Sequence, residues 1–184
     1  MSIVKILDDI TAWAQRDICS KIMLKVPPSN AEPNDHAYEY RVVNPQAFTM
    51  YVPTEDKLPK GVPSAFPSLC VRFLEGGDDL ASKTGTIGIQ FLLSTWNPGT
   101  YGEDTFQRNA DGWRDIWNFV DIVARSLEQV TSIAGYEIDP AVPIKYGPLA
   151  EQESIPDFYP FWFAWVSFQL KYPLMRNKDF EKFL

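Results

Sequence analysis

Cysteine and histidine are almost absent from this chain of 184 residues. Its two cysteines, Cys19 and Cys70, fall in a helical and a strand pattern, so we predict free, buried thiols rather than a disulfide framework. The one histidine, His36, stands beside Asp35 in a polar loop. Because a zinc site or a catalytic triad needs a histidine with organised partners, the sequence favours a solvated loop residue.

An excess of basic residues is also lacking. Lys and Arg number 17 against 24 Asp and Glu, which gives a formal net charge of -7 and a pI near 4.7. This balance argues against binding nucleic acid through bulk charge. We therefore expect no specific nucleic-acid partner.

No apolar run reaches the length of about 20 residues that a membrane-spanning helix needs. Near the N-terminus, Asp8 and Asp9 interrupt the apolar core that a secretory signal requires. The sequence predicts a chain that folds in the cytoplasm and has no membrane partner.

Apolar residues are plentiful. Hydrophobic residues make up 45% of the chain and aromatic residues 14%, with an ordinary 22% charged. A chain of this length and composition can bury a core without disulfides or metals, so we predict a single domain over residues 1–184.

Two stretches show apolar residues at helical spacing. They predict an N-terminal helix over residues 1–24 and a long helix within residues 105–134, which runs from about Asn109 to Ile133. Prolines soon after Val26 end the first helix, and Gly135 is expected to cap the second.

Residues 38–95 predict strands and hairpins. "YEYRVV" and "AFTMYV" are two candidate strands joined by a turn at Asn44-Pro45. "SLCVRFLE" and "TIGIQFLLST" predict an antiparallel hairpin, and the connection "GGDDLASKTG" is too long for a tight turn.

Residues 135–174 predict extended segments and a final strand in "FYPFWFAWVSFQLKYPL", followed by a tail over residues 175–184. Helices do not alternate regularly with strands, so the order favours an α+β fold: a mostly antiparallel sheet with both helices on one face. The final strand carries large apolar side chains on both faces. Helices would cover one face, and a second sheet layer, a long loop or another subunit would have to cover the other.

Two groups of carboxylates are candidate chemical sites. Glu75 to Asp79, "EGGDD", has the closely spaced carboxylates of a calcium site but not the alternating ligands, which favours a polar hairpin connection. Asp111 and Asp115 share a helix face, where acid–base work competes with simple stabilisation of the helix N-terminus. We predict no metal, no cofactor and no enzymatic activity.

Four aromatic residues surround the turn into the second helix: Trp96, Tyr101, Phe106 and Trp113. Such a group is typical of a binding hot spot and equally of a core at the end of a sheet. Both interpretations stay open at this stage.

The order of elements resembles that of a known family. An N-terminal amphipathic helix is followed by "PSLCVRF", a variable hairpin, "GTIGIQFLLSTW", "DGWRDIWNFVDIVARSLEQ" and the final strand "FWFAWVSFQLKYPL". In this order the chain resembles tail terminator proteins of long-tailed bacteriophages and phage-tail-like particles, over about residues 1–174.

The resemblance implies a non-enzymatic virion protein, assembled in the bacterial host cytoplasm. It implies a homohexameric ring that caps the tail tube, stops its polymerisation and presents a surface for head joining. The partners would be further copies of the chain, the tail tube protein and a neck or head-completion protein, and the genome would pass through the ring. The expected subunit or tube interface contains Glu75, Asp78, Asp79, Lys83, Trp96, Tyr101 and Phe106.

Two alternatives remain. A neck or head-to-tail joining protein would have a similar small α+β fold. A small-molecule-binding domain with an aromatic pocket would instead be a monomer or dimer, with Asp111 and Asp115 as candidate functional groups.

Overall fold

The computed structural model describes residues 2–27, 41–101, 106–108, 111–149 and 158–174. Its helices and strands are, in chain order, α1 (Ile3–Asp17), β1 (Leu24–Lys25), β2 (Val42–Val43), β3 (Gln46–Thr49), β4 (Ser68–Asp79), β5 (Thr84–Trp96), β6 (Gly99–Tyr101), β7 (Phe106–Arg108), α2 (Gly112–Glu128), β8 (Ser132–Ile133), β9 (Tyr136–Ile138), β10 (Lys145–Pro148) and β11 (Phe161–Pro173). The predicted α+β class with a mostly antiparallel sheet is confirmed.

Within the described residues, a seven-stranded sheet forms the centre of the fold, in the order β3-β4-β5-β11-β9-β8, and β10 pairs with β11 beside β9. Its longest ladder joins β5 and β11 along their whole length, from Trp96 opposite Phe161 to Thr84 opposite Pro173. We call the Trp96–Phe161 end of this ladder the aromatic end and the Thr84–Pro173 end the hairpin end.

Both helices pack on one face of the sheet, as the sequence predicts. The inward side chains of β5 and β11 alternate with outward ones, and Phe91 meets Phe168 edge-on at a centroid distance of 5.1 Å. The helices add their own apolar stripes to the same core, with Ile10 of α1 and Phe119 of α2 fully buried. This core contains the largest buried side chains of the described chain, so it accounts for most of the apolar surface removed from water.

The other face of β11 is covered in part by the chain itself. Phe66, from the long loop before β4, lies 4.8 Å from Phe161 and 6.4 Å from Phe163 between ring centroids. Phe158 meets Phe163 edge-on at 5.3 Å. The sequence left a second sheet layer, a loop or another subunit as possible covers for this face. At the aromatic end, a loop covers part of it.

The first helix is shorter than predicted. It ends at Asp17 instead of continuing to residue 24, and a 3₁₀ turn follows over Cys19–Lys21. The amide of Asn44 donates to the carbonyl oxygens of Cys19 (3.2 Å) and Ile22 (2.7 Å), which lie just beyond the helix. This side chain binds backbone groups that further helical turns would have used.

The predicted hairpin around Asn44-Pro45 is wrong. β2 pairs antiparallel with β1, while β3 pairs in parallel with β4. Alternation of side chains identifies strands but not their partners, since both arrangements bury the same faces. Part of "YEYRVV", residues 38–40, lies outside the described residues, as does His36.

The connection between β4 and β5 is also shorter than predicted. The strands continue through "GGDD" to Asp79 and resume at Thr84, so only Leu80–Lys83 form the turn. Lys83 adopts a positive φ of 57°. Glycines that suggested a loop are instead part of a paired strand.

The second helix occupies Gly112–Glu128, which is less than the predicted 105–134. Residues before it form β7, paired with β6, and Ser132–Ile133 after it form β8. Gly135 does not cap the helix. With a φ of 90°, it lies in the tight turn between β8 and β9, where a positive φ suits glycine. The tail over residues 175–184 lies outside the described residues.

Candidate functional site

The hairpin end has a sheet edge that no described strand covers. β3 covers the outer edge of β4 only as far as Val71. Beyond it, the sulfur of Met50 accepts one hydrogen bond from the backbone amide of Phe73 (3.5 Å). A β-bulge follows between Phe73 and Glu75. Within the described part of the chain, β4 then has no neighbour on its outer side over residues 74–79, which we call the free edge.

Exposed leucines accompany the free edge. Leu74 is 48% exposed, and Leu80, at the tip of the turn, is 81% exposed. An unpaired strand edge with apolar side chains is a template for pairing with another chain.

Four of the predicted interface residues gather here: Glu75, Asp78, Asp79 and Lys83, all exposed. Asp79 accepts hydrogen bonds from the backbone of Ala81 (2.9 Å) and from the hydroxyl of Ser82 (2.8 Å). These bonds, the Ser82 hydroxyl first, lower the pKa of Asp79. Asp79 therefore holds the turn, which leaves Glu75 and Lys83 as the more accessible charges.

Tyr172 stabilises the hairpin end. Its hydroxyl donates to Asp78 Oδ1 (2.9 Å), and its ring lies over Gly85, where an added Cβ would come within 2.3 Å of Cζ. Loss of hydration, followed by the Asp78 contact, raises the pKa of the Tyr172 phenol. The backbone amide of Leu174 adds a bond to the carbonyl oxygen of Lys83 (2.9 Å).

These contacts bear on the calcium hypothesis for Glu75 to Asp79. Asp78 and Asp79 already accept hydrogen bonds from the hairpin itself. Among the described residues, no group of three or more His, Cys, Asp or Glu side chains converges on one point. These carboxylates belong to β4, where they pair with β5 and lead into the turn, instead of forming the hairpin connection that the sequence favoured.

An aromatic pocket lies at the opposite end of the ladder. Its cavity of about 270 Å³ lies between the first turns of α2, the end of β10 and the start of β11. The lining is formed by Trp113, Ile116, Trp117, Pro148, Leu149, Phe158, Tyr159, Phe161, Trp162 and Phe163. Because most of these side chains are aromatic or apolar, the pocket favours an apolar or aromatic ligand.

Close packing shapes the pocket's inner wall. An added Cβ on Gly112, the first residue of α2, would come within 2.0 Å of Trp162 Nε1. Only glycine lets the helix start this close to the indole. On the outer wall, Trp113 is 46% exposed and Phe158 44% exposed, so two large apolar side chains remain in contact with water.

The predicted aromatic group separates into unlike parts. Trp96 is buried at 8% exposure and belongs to the sheet, whereas Trp113 stands at the pocket mouth. Tyr101 and Phe106 lie opposite each other in the β6–β7 ladder, and of them only the backbone is described. Trp96 and the four hairpin residues lie at opposite ends of β5, so the structure does not bring the seven predicted interface residues together.

A buried polar junction beside the pocket was missed by sequence analysis. Asn97 donates from Nδ2 to Asp115 Oδ2 (2.7 Å) and accepts at Oδ1 from Lys25 Nζ (3.0 Å) and the Gly99 amide (3.1 Å). Burial lowers the pKa of Lys25. Since "WNPG" carries the signal of a turn, its asparagine gave no hint of a contact with α2.

Asp111 and Asp115 have different hydrogen-bond and ion-pair partners. Asp111 forms an exposed ion pair with Arg114 (3.5 Å), while Asp115 is bound by Asn97. Both carboxylates also interact with the charge of Lys25. Their position at the start of α2 agrees with stabilisation of the helix N-terminus.

The two cysteines are free and buried, as predicted. Loss of hydration raises the pKa of Cys19 to about 12 and that of Cys70 to about 11. Both thiols are therefore protonated and weakly nucleophilic at neutral pH.

Comparison with known proteins adds no assignment. No family model matches the chain, and no curated protein shows significant similarity to it. Among the described residues, neither helix has the length and apolar character to cross a membrane.

Proposed function

We propose that this chain is a structural assembly protein that caps a tail tube as a homo-oligomeric ring, ends tube polymerisation and forms the head-joining surface. The proposal follows from the resemblance to tail terminator proteins and is compatible with the α+β fold. It involves no chemical reaction and no cofactor. The chain would act in a virion or phage-tail-like particle after assembly in the host cytoplasm.

The observation that supports the proposal most is the free edge at residues 74–79. A ring needs two different patches on each subunit, because heterologous contacts repeat from copy to copy. The free edge with Leu80 supplies one patch. A second sheet boundary, on the outer side of β10, carries Lys145 and Tyr146, which is 57% exposed.

The proposed partners are those that the resemblance to tail terminator proteins implies. Neighbouring copies, in a hexamer, would meet through such edges, and the tail tube protein would bind one rim of the ring. A neck or head-completion protein would bind the other rim. The genome would pass through without specific contacts.

Native mass spectrometry and negative-stain imaging of the purified chain with tail tubes test the proposal. We expect six-fold rings, free or on tube ends. A variant with Leu74→Lys and Leu80→Lys places charge along the free edge and should lose ring formation, because pairing would bury both charges. Its folding should be unchanged, since both side chains are exposed.

Met23→Lys is the matched control. Met23 is 60% exposed and lies before β1, away from the hairpin end, so this variant should assemble normally. Rings that survive both leucine substitutions would contradict the role of the free edge. A chain that neither forms rings nor binds tubes would contradict the proposed function, and binding only to a head connector would favour a neck protein instead.

The aromatic pocket favours a second candidate function, a small-molecule-binding domain. Its cavity is apolar and has two exposed aromatic residues at its mouth, Trp113 and Phe158. Titration of aromatic compounds, followed by tryptophan fluorescence, tests this candidate. If the chain is a monomer that binds such a compound tightly and saturably but does not bind tail tubes, the small-molecule-binding function would be favoured over ring assembly.

A further inference from the structure

The free edge has backbone groups that point away from its own sheet. The carbonyl of Lys83, just before β5, accepts a hydrogen bond from the chain just after β11 (2.9 Å). Because bonding direction alternates along a strand, odd-numbered residues of β5 bond to β11 and even-numbered ones to β4. Their partners on β4 include Glu75 and Gly77. The N–H and C=O groups of Gly76 and Asp78 therefore point outward from the free edge.

β10 lies at the opposite boundary of the long strands. The amide of Leu149, just after β10, donates to the carbonyl of Phe163 on β11 (3.3 Å). By the same alternation, Tyr146 and Pro148 face away from β11. Pro148 has no N–H, and its carbonyl already accepts a bond from the indole of Trp165 (3.1 Å). Within β10, Tyr146 is thus the residue whose N–H and C=O can both bond to another strand.

Strand directions allow these two boundaries to join between copies. β4, β5, β11 and β10 each run antiparallel to the next. Four alternating strands leave β4 and β10 running in opposite directions. When copies repeat around a rotation axis, β10 of one copy therefore lies antiparallel to β4 of the next. Antiparallel pairing is the more stable arrangement.

The bonding directions also select a register. Outward-facing residues of the two strands bond to each other, so Tyr146 pairs with Gly76 or Asp78 of the next copy. Opposite Asp78, it would bring the proline of β10 against Gly76, whose carbonyl would then find no N–H. Opposite Gly76, it places Lys145 opposite Gly77, and the proline falls at the β-bulge, where the ladder ends.

Charges match in this register. Glu75 and Asp79 lie diagonally on either side of Gly77, so Lys145 of the next copy would extend between two exposed carboxylates. Neither conformation nor packing within the subunit requires glycine at position 77. Its φ is not positive, and an added Cβ would approach only Thr86 Oγ1, at 4.0 Å. A glycine inside a strand often marks the close approach of another chain.

Tyr146 meets a cavity in the same register. A cavity of about 210 Å³ lies beside the free edge, on the face that carries the helices. Tyr146 is 57% exposed in its own subunit, and it lies opposite the buried Val166, so its side chain is on that same face. A cavity of about 150 Å³ is enough to hold benzene, so this one has room for the phenol ring. The lining is formed by Ile3, Phe73, Gly76, Gly77, Asp78, Thr86, Ile87 and Tyr172.

By contrast, the outer edge of β3 is closed by the chain itself. Gln15 of α1 accepts a hydrogen bond from the Ala47 amide (2.7 Å) and donates one to the Pro45 carbonyl (3.3 Å). A side chain that binds outward-facing backbone groups blocks the addition of another strand. The edge of β3 is therefore protected in a way that the free edge of β4 is not.

We propose that β10 of one copy pairs with the free edge of the next, with Tyr146 opposite Gly76 and Lys145 opposite Gly77. The sheet then continues from subunit to subunit. This inference rests on the proposed ring and specifies the strands that join its copies. The two edges are different surfaces, as a heterologous interface requires.

A charge exchange tests the register. With tail tubes present, Glu75→Lys and Lys145→Glu should each reduce ring formation about fivefold or more, because each places like charges together. A chain that carries both substitutions should recover most of the rings, as counted by native mass spectrometry and negative-stain imaging. Glu137→Lys, an exposed position on β9, is the matched control and should not rescue Lys145→Glu. Equal rescue by both would overturn the proposal.

Removal of the phenol ring tests the cavity contact. Tyr146→Ala should raise the concentration needed for ring formation about tenfold, whereas Tyr146→Phe should assemble as the native chain does. The side chain is mostly exposed, so thermal unfolding of the unassembled subunit should not change. Normal assembly of Tyr146→Ala would overturn the contact.

Disulfide trapping tests whether the contact is between copies. In the proposed register, the Cα atoms of residues 77 and 145 lie about 4.5 Å apart, within the range of a disulfide. Within one subunit, β5 and β11 separate them by three strand spacings, about 14 Å. Oxidation of a chain with Gly77→Cys and Lys145→Cys should give a ladder of covalent oligomers, while the native thiols stay buried. A chain with Gly77→Cys and Glu137→Cys is the control and should stay monomeric.

The outcomes separate the pairing from the ring function. Capped tubes without the disulfide ladder, or with an equal ladder in the control, would overturn the pairing and leave the ring function standing. A specific ladder from a chain that does not cap tubes would support the pairing and contradict the ring function. Absence of both ladder and capping would contradict both.

Discussion

The two ends of the β5–β11 ladder are held by different means. At the aromatic end, rings from the sheet, the loop before β4 and α2 pack around Trp162 and Phe163. At the hairpin end, hydrogen bonds hold the strands: Tyr172 to Asp78, and the Asp79 carboxylate to its own turn. One end depends on excluding water, and the other stays exposed to it.

This difference indicates what each end is suited to do. Packed aromatic residues tolerate little change in volume, so a pocket among them keeps its shape. Exposed hydrogen bonds contribute little net free energy and leave a strand edge accessible. A fixed pocket at one end and a free edge at the other give a subunit two unlike binding surfaces.

The largest effect is expected midway between the two ends. Phe91 is fully buried against Phe168, so Phe91→Ala should lower the free energy of unfolding by about 3–5 kcal/mol and loosen both ends together. Urea unfolding followed by tryptophan fluorescence measures the loss. Gln90→Ala, the next residue on the other face, should cost about 0.5 kcal/mol or less. Equal losses for the two variants would contradict this account of the core.

Matched glycine substitutions compare the ends directly. Gly112→Ala pushes a Cβ into the Trp162 indole, which α2 and the sheet hold, and should cost about 1–3 kcal/mol. Gly85→Ala meets the outer end of the Tyr172 side chain, which can swing into water, so its cost should stay below about 1 kcal/mol. Thermal unfolding of both variants shows which substitution causes the larger loss of stability. A larger loss for Gly85→Ala would show that the hairpin end is the more tightly packed one.

An ion pair makes the stability of β11 depend on pH. Lys171 Nζ lies 2.7 Å from Asp139 Oδ1, and the hydrogen bond from Lys171, followed by that from the Ala141 amide, lowers the pKa of Asp139. A carboxyl whose pKa is lower in the folded state stabilises the fold above its unfolded pKa, near 3.9, and loses this contribution as pH falls through the folded pKa. Asp139→Asn should therefore be clearly destabilising at pH 7 and much less so at pH 3.

Unfolding of both proteins by urea at the two pH values measures this contribution. Lys145→Gln, a change of charge on the neighbouring β10, is the control and should shift stability equally at both values. If the free energies of unfolding of the native chain and Asp139→Asn differed by the same amount at both pH values, the pH dependence could not be assigned to Asp139.

The smallest effect is expected from Tyr172→Phe. This change removes one exposed hydrogen bond to Asp78 while the ring stays over Gly85, so it should cost about 0.5–1 kcal/mol. Amide hydrogen exchange should quicken within residues 76–86 and remain unchanged around Trp162. Faster exchange at both ends would mean that the two ends are coupled.

Patterns local in sequence predicted much of this fold. Alternation along "TIGIQFLLST" and helical spacing around Val120 identified β5 and α2 because their inward side chains repeat at fixed intervals. The paired final strand with two apolar faces was also identified correctly. These elements carry their own periodicity and need no knowledge of distant residues.

Features that depend on distant partners were not predictable. The amide of Asn44 binds a backbone carbonyl just beyond the end of α1, and β3 pairs in parallel with β4. Both contacts join residues that are distant in sequence, so no local pattern predicts them. Gly76 and Gly77 suggested a loop, yet pairing with β5 keeps them in a strand. The pocket likewise depends on Gly112 meeting Trp162 across the sequence. That the residues predicted for a subunit or tube interface lie at two ends of the sheet was likewise not visible in the sequence.

The late position of β11 in the chain has a consequence for synthesis. Residues 84–96 leave the ribosome long before residues 161–173, their partners along the entire ladder. Until then β5 has one bare edge, and Phe91 lacks the ring that later packs against it. Such long-range pairing slows folding and exposes nascent chains to aggregation. A translation product released before residue 161 should therefore accumulate in an insoluble form, whereas one released after Leu174 should not.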